Sequence, residues 1–260
     1  MNYIKVGKEL VEYFQEIVFD EPSHTYKVKG KGLTPVSNFI KGFVKPFNAK
    51  DIAPGTARKE GISVKKVLQN WDNIRIEACN NGTMVHDSLE RYIIDRYKIF
   101  SNLKFDSVNQ HLKNNEEPSN KEKAGIKFLN NKPIWYVPIS TELRMYCTDI
   151  GIAGTADMIF LDTRDNTLCI GDWKTNKDLF KNYKNQKLLG IFNDLNDMPY
   201  SKYVIQLSMY KILLEKTGYK VSRHFLVWLR KDGNYELFDT PDVTDRLNKY
   251  LLNKTQYADW

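Results

Sequence analysis

Cysteine is scarce in this chain, and its scarcity excludes two classes of protein. The three cysteines among 260 residues are Cys79, Cys147 and Cys169. Because they are few and widely spaced, we expect neither a disulfide framework nor a cysteine-based metal site, and the setting predicted is reducing and cytoplasmic. No apolar run approaches the roughly 18 residues of a membrane-spanning helix. The opening residues also lack the pattern of a signal peptide, so no membrane partner is expected.

Acidic residues are outnumbered by basic ones. The chain has 39 Lys and Arg against 32 Asp and Glu, a formal net charge of +7. Such a surplus favours an anionic partner, of which nucleic acid is one. Hydrophobic residues make up 42% of the sequence, enough for a sizeable core. A chain of 260 residues holds one large domain, or one domain with an appended lobe.

The stretch 152–174 organises our interpretation of the sequence. It predicts two apolar strands, Ile152–Asp162 and Thr167–Lys174, joined by a polar turn. If the turn has two or four residues, Asp162 faces Thr167, and the same register sets Asp157 opposite Asp172. Alternation along the strand puts Lys174 on the face of Asp172. Since both faces are apolar, we expect this hairpin to be central in a covered sheet.

Two carboxylates on facing strands repel each other unless a positive charge lies between them. One interpretation is a surface hairpin with both aspartates in water, but apolar residues flank them on both faces. A hard divalent cation such as Mg²⁺ resolves the repulsion better than Lys174 alone. The lysine can then hold or deprotonate a water molecule on that cation. This combination is suited to attack on a phosphodiester.

The residues that carry this chemistry also carry a resemblance. The chain reads Gly154-Thr155-Ala156-Asp157 and then Gly171-Asp172-Trp173-Lys174-Thr175, which resembles the PD-(D/E)XK nuclease superfamily and most of all its RecB-like, phage-type branch. The resemblance implies an α/β fold with a restriction-endonuclease-like core, a central mixed β-sheet flanked by helices, beside a mostly helical N-terminal lobe. It also implies Mg²⁺ or Mn²⁺ as cofactor. Members with an iron–sulfur cluster need four clustered cysteines, so no cluster is expected here.

Two further residues join the site through this resemblance. The stretch 82–92, G-T-M-V-H-D-S-L-E-R-Y, has apolar residues on one helical face and resembles the histidine motif of RecB-like nucleases. A lone histidine at a core edge is usually structural, but here the resemblance implies that His86 is a metal ligand beside Asp157, Asp172 and the Trp173 carbonyl. On the predicted strand Trp135–Cys147, Glu142 fits a glutamate that the family often has. The register leaves open whether it faces the site or, beside Arg144, the solvent.

The chain after Thr175 predicts contacts to a substrate. Lysines alternate with two aromatic residues, a pattern that suits the phosphates and bases of a single strand, although an ordinary solvated loop has the same composition. These residues are Lys177, Phe180, Lys181, Tyr183, Lys184 and Lys187. On the predicted helix Ser201–Thr217, Gln206 and Tyr210 share a face. They match a Q-x-x-x-Y motif of the RecB-like branch, which implies that they brace the catalytic lysine and contact the DNA backbone.

We divide the chain into residues 1–132, an N-terminal hairpin and helical lobe, and residues 133–260, the nuclease core. The other predicted helices are Pro35–Val44 with Thr34 as its cap, Asn48–Arg58, Ser63–Trp71, Lys121–Leu129 and Asp242–Leu252, and the other predicted strands are Lys220–Arg230 and Tyr235–Phe238.

The function implied is a metal-dependent DNA nuclease, most like an exonuclease acting on single-stranded or end-processed DNA in replication, recombination or repair. Other replication or recombination proteins are further expected partners, and the setting is the cytoplasm of a bacterial host if a phage encodes the chain. One alternative is a sequence- or structure-specific endonuclease. Another is a non-catalytic DNA-binding protein with a degenerate site, which the intact set of Asp157, Asp172 and Lys174 argues against.

Overall fold

The computed structural model describes residues 2–101 and 117–256 and has a mixed α/β architecture, with a central sheet flanked by helices. In chain order its helices are α1 (Tyr3–Tyr13), α2 (Val36–Lys41), α3 (Ala49–Glu60), α4 (Val64–Tyr97), α5 (Asn120–Asn131), α6 (Pro199–Glu215) and α7 (Thr244–Gln256). Its strands are β1 (Ile17–Asp20), β2 (Thr25–Val28), β3 (Lys31–Pro35), β4 (Phe100–Ser101), β5 (Tyr136–Cys147), β6 (Ile152–Asp162), β7 (Thr167–Lys174), β8 (Val221–Leu229) and β9 (Tyr235–Asp239). Over the described residues no helix is both long and apolar enough to cross a membrane.

Strand β6 is the hub of the sheet. Along one edge it pairs antiparallel with β5. Along the other edge its partner changes: β3 runs parallel to it at Ile152–Ala153, and β7 runs antiparallel to it at Met158–Asp162. Between these two ladders, residues 154–157 have no strand partner on that edge within the described chain. The sheet therefore has a gap at its centre.

The predicted hairpin register is confirmed. Asp162 pairs with Thr167 and Met158 with Gly171, so alternation assigns each residue of β6 and β7 to the expected face. Ile159 and Ile170 join an apolar cluster built with α1, α2, α6 and α7, whereas Phe160 and Cys169 join one built with α4 and α5. Both faces are covered, as predicted.

Each of these clusters combines residues from both sides of position 132, and the division of the chain near that position stays a prediction. Helix α3 and the start of α4 have a small apolar cluster of their own, which includes Ala53, Ala57 and Val67. The predicted helix 121–129 and strands 220–230 and 235–238 are present as α5, β8 and β9.

Two predictions for the N-terminal region are wrong. Thr34 does not cap α2: it belongs to β3, where its backbone N–H donates to the Gly151 carbonyl at 2.8 Å. A residue before proline favours the extended conformation, and the parallel pairing to β6 stabilises it there. The predicted helix 63–71 does not end at Trp71, because α4 continues unbroken to Tyr97. Residues 72–81 contain neither proline nor glycine, so nothing in the sequence stops the helix.

Candidate active site

The candidate active site lies where β6 and β7 separate. Their ladder ends at the pair Met158 and Gly171, one residue before Asp157 and Asp172. There a carboxylate oxygen of Asp157 accepts a hydrogen bond from the backbone N–H of Trp173 at 2.8 Å. The Asp157 side chain thus replaces the next ladder bond and holds the two strands together. Both aspartates are buried, as their apolar flanks predicted.

Three side chains from three elements meet beside this opening. One possible ligand atom from each of His86 on α4, Glu142 on β5 and Asp157 on β6 lies within 4.8 Å of the other two. Nδ1 of His86 is 3.5 Å from an oxygen of Asp157. Helix α4 comes close to the end of β7 at Gly82, one turn before the histidine, where an added Cβ would be 3.3 Å from the Thr175 hydroxyl. The predicted convergence of His86 and Asp157 is therefore present.

The orientation of Glu142, which the sequence left open, is now defined. The pairs formed by its neighbours on β5 set Glu142 opposite Asp157. Its φ of +47° departs from the strand conformation, a backbone state that is uncommon outside glycine and asparagine. The side chain is half-buried in the cluster with His86. Glu142 therefore belongs to the site and is no solvent-facing partner of Arg144.

Asp172 contributes a negative charge to the candidate active site. It lies outside the three-residue cluster and forms an ion pair with Lys174. The ion pair joins the Lys174 ammonium to Oδ2 of Asp172, and this buried oxygen has no further hydrogen-bond partner within the described residues. A buried carboxylate is costly unless it is paired, and the Lys174 ammonium supplies that charge partner for Asp172.

Ionisation in the cluster is dominated by burial and by repulsion between carboxylates. Burial, followed by the charge of Asp157, raises the pKa of Glu142 well above its ordinary value. Burial also raises the pKa of Asp157, against the effect of Lys174, and the pKa of Asp172, to which the charge of Asp157 adds. Burial, helped by Lys174, lowers the pKa of His86 to about 4. At neutral pH the imidazole is thus uncharged, the state in which it binds metals.

These side chains fit a divalent cation. Three crowded carboxylates supply the hard oxygen ligands that Mg²⁺ prefers, and a neutral imidazole extends the preference to Mn²⁺. The backbone of Trp173 lies at the same place: its N–H donates to Asp157, and its polar backbone acts to raise the pKa of the neighbouring His86. The strongest single sign of a cation site is the three-residue cluster, in which one possible ligand atom from each of His86, Glu142 and Asp157 lies within 4.8 Å of the other two.

Lys174 is buried at the end of β7 with 9% of its surface exposed. Burial is the largest influence and acts to lower its pKa, but the charges of Asp172, Tyr203 and Asp157 together outweigh it, and the pKa is raised above its ordinary value. The ammonium group also lies 4.0 Å from the centre of the Tyr203 ring, where the aromatic face attracts a cation. As the side chains stand, Lys174 is a charged hydrogen-bond donor. Of the two roles that the sequence left open, holding a water molecule fits this state and deprotonating it does not.

The Q-x-x-x-Y residues lie behind the opening. Gln206 donates a hydrogen bond to the Tyr210 hydroxyl at 2.8 Å. Burial, followed by the nearby charge of Asp172, raises the pKa of Tyr210 well above its ordinary value, so its hydroxyl keeps its proton. The Tyr210 ring packs directly on Gly154, where an added Cβ would be 2.6 Å from Cε1. Tyr210 therefore packs against β6 beside the gap in the sheet, while the implied roles of Gln206 and Tyr210 toward Lys174 and the DNA backbone stay predictions.

The lysine-rich segment begins directly after β7 and follows an irregular path. Lys177, Lys181, Lys184 and Lys187 are exposed. Tyr183 is half exposed, with the Lys184 ammonium 5.3 Å from its ring centre, and Lys187 donates to the Asp194 carbonyl. The segment thus presents positive charge next to the site, while its contacts to DNA stay a prediction.

Two residues of the site were not found from the sequence. Tyr203 contacts Lys174 and lies one turn before Gln206 on the same helix, so its spacing could have revealed it. Lys121 donates from α5 to the Thr175 carbonyl at 2.6 Å and holds the chain at the end of β7. It comes from a part of the chain that no local pattern connects to β7.

The comparisons with known proteins add no family assignment. No family model and no curated protein matches this chain.

Proposed function

We propose that this chain is a metal-dependent deoxyribonuclease of the PD-(D/E)XK type that hydrolyses phosphodiester bonds. The observation that carries the proposal is the convergence of an uncharged imidazole and three carboxylates beside a buried lysine ammonium. A purely structural site gains nothing from so many buried acids, since each loses hydration and repels its neighbours. A bound cation would balance the carboxylates, and an anionic substrate would balance the lysine ammonium.

The chain's own residues divide the task. His86, Glu142, Asp157 and Asp172, with the Trp173 carbonyl, would hold Mg²⁺ or Mn²⁺, which when bound acts as a Lewis acid toward the phosphate and the attacking water. Lys174 donates hydrogen bonds to the water or to a phosphate oxygen, held in position by Asp172 and by the Tyr203 ring. Gln206 and Tyr210 keep the opening between the strands from closing.

The substrate favoured is a single strand or a processed end. Lys177 and Lys181 leave directly from the catalytic strand, so a strand bound to them is already at the site. Helices α4 and α6, which carry His86 and Gln206, flank the opening, and an enclosed site of this kind favours a free end over an internal position. We accordingly place the enzyme in cytoplasmic DNA replication, recombination or repair. An endonuclease is the second candidate, and closed circular substrates separate the two.

The test is digestion of end-labelled linear DNA, single- and double-stranded, and of closed circles, with Mg²⁺, with Mn²⁺ and with a chelator. Lys174→Ala should lower the cleavage rate by about 10²–10⁴-fold while keeping metal and DNA binding. Asp172→Ala should lose metal binding in calorimetric titration. Lys220→Ala, at the opposite end of the sheet, is the matched control and should cut normally.

Three results would each contradict part of the proposal. If Lys174→Ala cuts within about threefold of the unaltered chain, a difference under about 0.7 kcal/mol, the lysine has no part in the reaction. Unchanged metal affinity in Asp172→Ala would remove the metal site. Rapid cutting of closed circles would favour the endonuclease.

A further inference from the structure

A group of four packed aromatic rings lies beside the catalytic strand, and we call it the aromatic platform: Phe180, Tyr200, Trp228 and Phe238. The ring centre of Phe180 is 5.2 Å from that of Tyr200, 5.4 Å from that of Phe238 and 6.3 Å from that of Trp228. Phe180 is the outermost ring, with 43% of its surface exposed, whereas Trp228 is only 7% exposed. One ring therefore faces solvent on a base of others that fix its position.

The platform is joined to the candidate active site by the sheet itself. Strand β8 runs parallel to β7 in a register that places Trp228 beside Lys174, about 4.8 Å away along the hydrogen-bonding direction. The Trp228 indole N–H donates to the Asn176 carbonyl at 2.8 Å, and the Tyr203 hydroxyl donates to the Asn176 side chain at 2.9 Å. The chain leaving Lys174 is thus fixed against the platform.

The backbone that carries Phe180 is also fixed. The side chain of Leu179 is fully buried, and its carbonyl accepts a hydrogen bond from the Tyr200 N–H at 2.9 Å. The Asp178 carboxylate accepts bonds from the N–H groups of Phe180, at 2.8 Å, and of Lys181, at 3.1 Å. The exposed ring thus needs no rearrangement to receive a flat partner, and little ordering entropy opposes such contact.

We propose that Phe180 is a stacking site for one nucleobase of the strand whose phosphate lies in the candidate active site. This inference rests on the proposed function and adds to it a defined base subsite. An exposed ring on a rigid base suits an unpaired nucleobase, because a duplex keeps its base faces inside the helix. Lys177 and Lys181 lie on either side of Phe180 in the sequence, and both are exposed, so their ammonium groups can reach the phosphates of a strand bound there.

The experiment measures binding of a short, end-labelled DNA single strand by fluorescence anisotropy in Mg²⁺. It uses Lys174→Ala as the parent protein, so that the strand is not cut. A single abasic nucleotide, which keeps the phosphates and lacks the base, is placed at each position in turn. Phe180→Leu is then made in this parent, since leucine retains apolar packing but has no flat face. Trp135→Leu removes another exposed ring, one stacked under Arg164, and is the matched control.

Phe180→Leu should weaken binding of the intact strand by roughly 5- to 150-fold, the range for losing one base–aromatic stack. In the parent, an abasic nucleotide at one position should cause a loss of the same size. At that position it should cause no further loss in Phe180→Leu. Phe180→Tyr keeps the ring and should bind like the parent, as should Trp135→Leu.

The results also separate this inference from the function on which it rests. If the parent binds the strand but responds equally to abasic nucleotides with and without Phe180, the subsite is overturned and the nuclease proposal stands. If the parent binds no DNA, both fall. Should Phe180→Leu not fold, a second measurement replaces the abasic scan. The fluorescent base 2-aminopurine is placed at each position of the strand in turn, and quenching of its fluorescence by stacking is measured with the parent and with Phe180→Tyr. Absence of quenching at every position then overturns the subsite.

Discussion

Replacing Gly154 by alanine tests the packing that keeps the sheet open at the site. The added Cβ would lie 2.6 Å from Cε1 of Tyr210 and 3.1 Å from Cγ2 of Val36. Ordinary carbon–carbon contacts are about 3.5–4.0 Å, so the tyrosine ring must move by about 1 Å. It has little room to do so, because it is 5% exposed and its hydroxyl is bonded to Gln206.

The expected cost follows from these contacts. Overpacking a close-packed core costs about 1–3 kcal/mol, and the smaller conformational freedom of alanine in the unfolded chain returns about 0.4–1 kcal/mol. Gly154→Ala should therefore lower the free energy of unfolding by about 1–2 kcal/mol, measured by urea denaturation. Gly55→Ala is the control, because Gly55 lies in α3 with open space around its Cβ position. It should be neutral or stabilise by up to about 1 kcal/mol.

A double-mutant cycle identifies Tyr210 as the cause. Tyr210→Leu removes the Cε1 atom that the new methyl meets, so in that background Gly154→Ala should cost less than about 0.5 kcal/mol. The reasoning is refuted if the alanine costs the same with tyrosine and with leucine. It is also refuted if Gly154→Ala alone leaves the free energy of unfolding unchanged.

Two further predictions concern charge. Replacing Lys181, Lys184 and Lys187 by alanine should flatten the slope of log affinity against log salt for single-stranded DNA by about 2, at about 0.7 for each phosphate contact; an unchanged slope would make the segment a solvated loop. The second prediction concerns Asp242. Its partial burial acts to raise its pKa, but hydrogen bonds from Lys211 and from Thr244 lower the pKa to about 2. The stability that this carboxylate contributes is complete above its ordinary pKa of 3.8 and is lost as pH falls through 2. Thermal unfolding should therefore show the destabilisation by Lys211→Met shrinking over that range, and a constant difference would contradict it.

The central hairpin could be predicted because its determinants are local. Alternation fixes the face of each residue, and the turn fixes the register, so the pairing of Asp162 with Thr167 follows from the sequence. Helices α5 and α6 likewise have their own start and stop signals. The carboxylates of Asp157 and Asp172 come together for the same reason, being on two strands joined by a short turn.

Features that depend on distant parts of the chain could not be predicted in this way. The pairing of Thr34 with Ile152 joins residues more than a hundred positions apart, and it converts an apparent helix cap into part of a strand. The left-handed backbone of Glu142 is equally non-local, because nothing in the residues around it requires that conformation. Its consequence is visible only in the folded chain, where the Glu142 side chain lies with His86 and Asp157. The pairing of β3 with β6 bounds the gap on one edge of β6, and Glu142 lies on β5 along the other edge, so the site is built on both sides of β6.

The gap also shows which residues discriminate between an enzyme and a degenerate site. Gly154 is favoured by the packing of Tyr210, so a chain that had lost catalysis would still gain stability from keeping it. Lys174 and Glu142 are different. The buried Lys174 and the half-buried Glu142, whose pKa is raised, cost stability that apolar residues of similar size would not. A non-catalytic chain would become more stable by replacing them, and their presence together is therefore the stronger argument for activity.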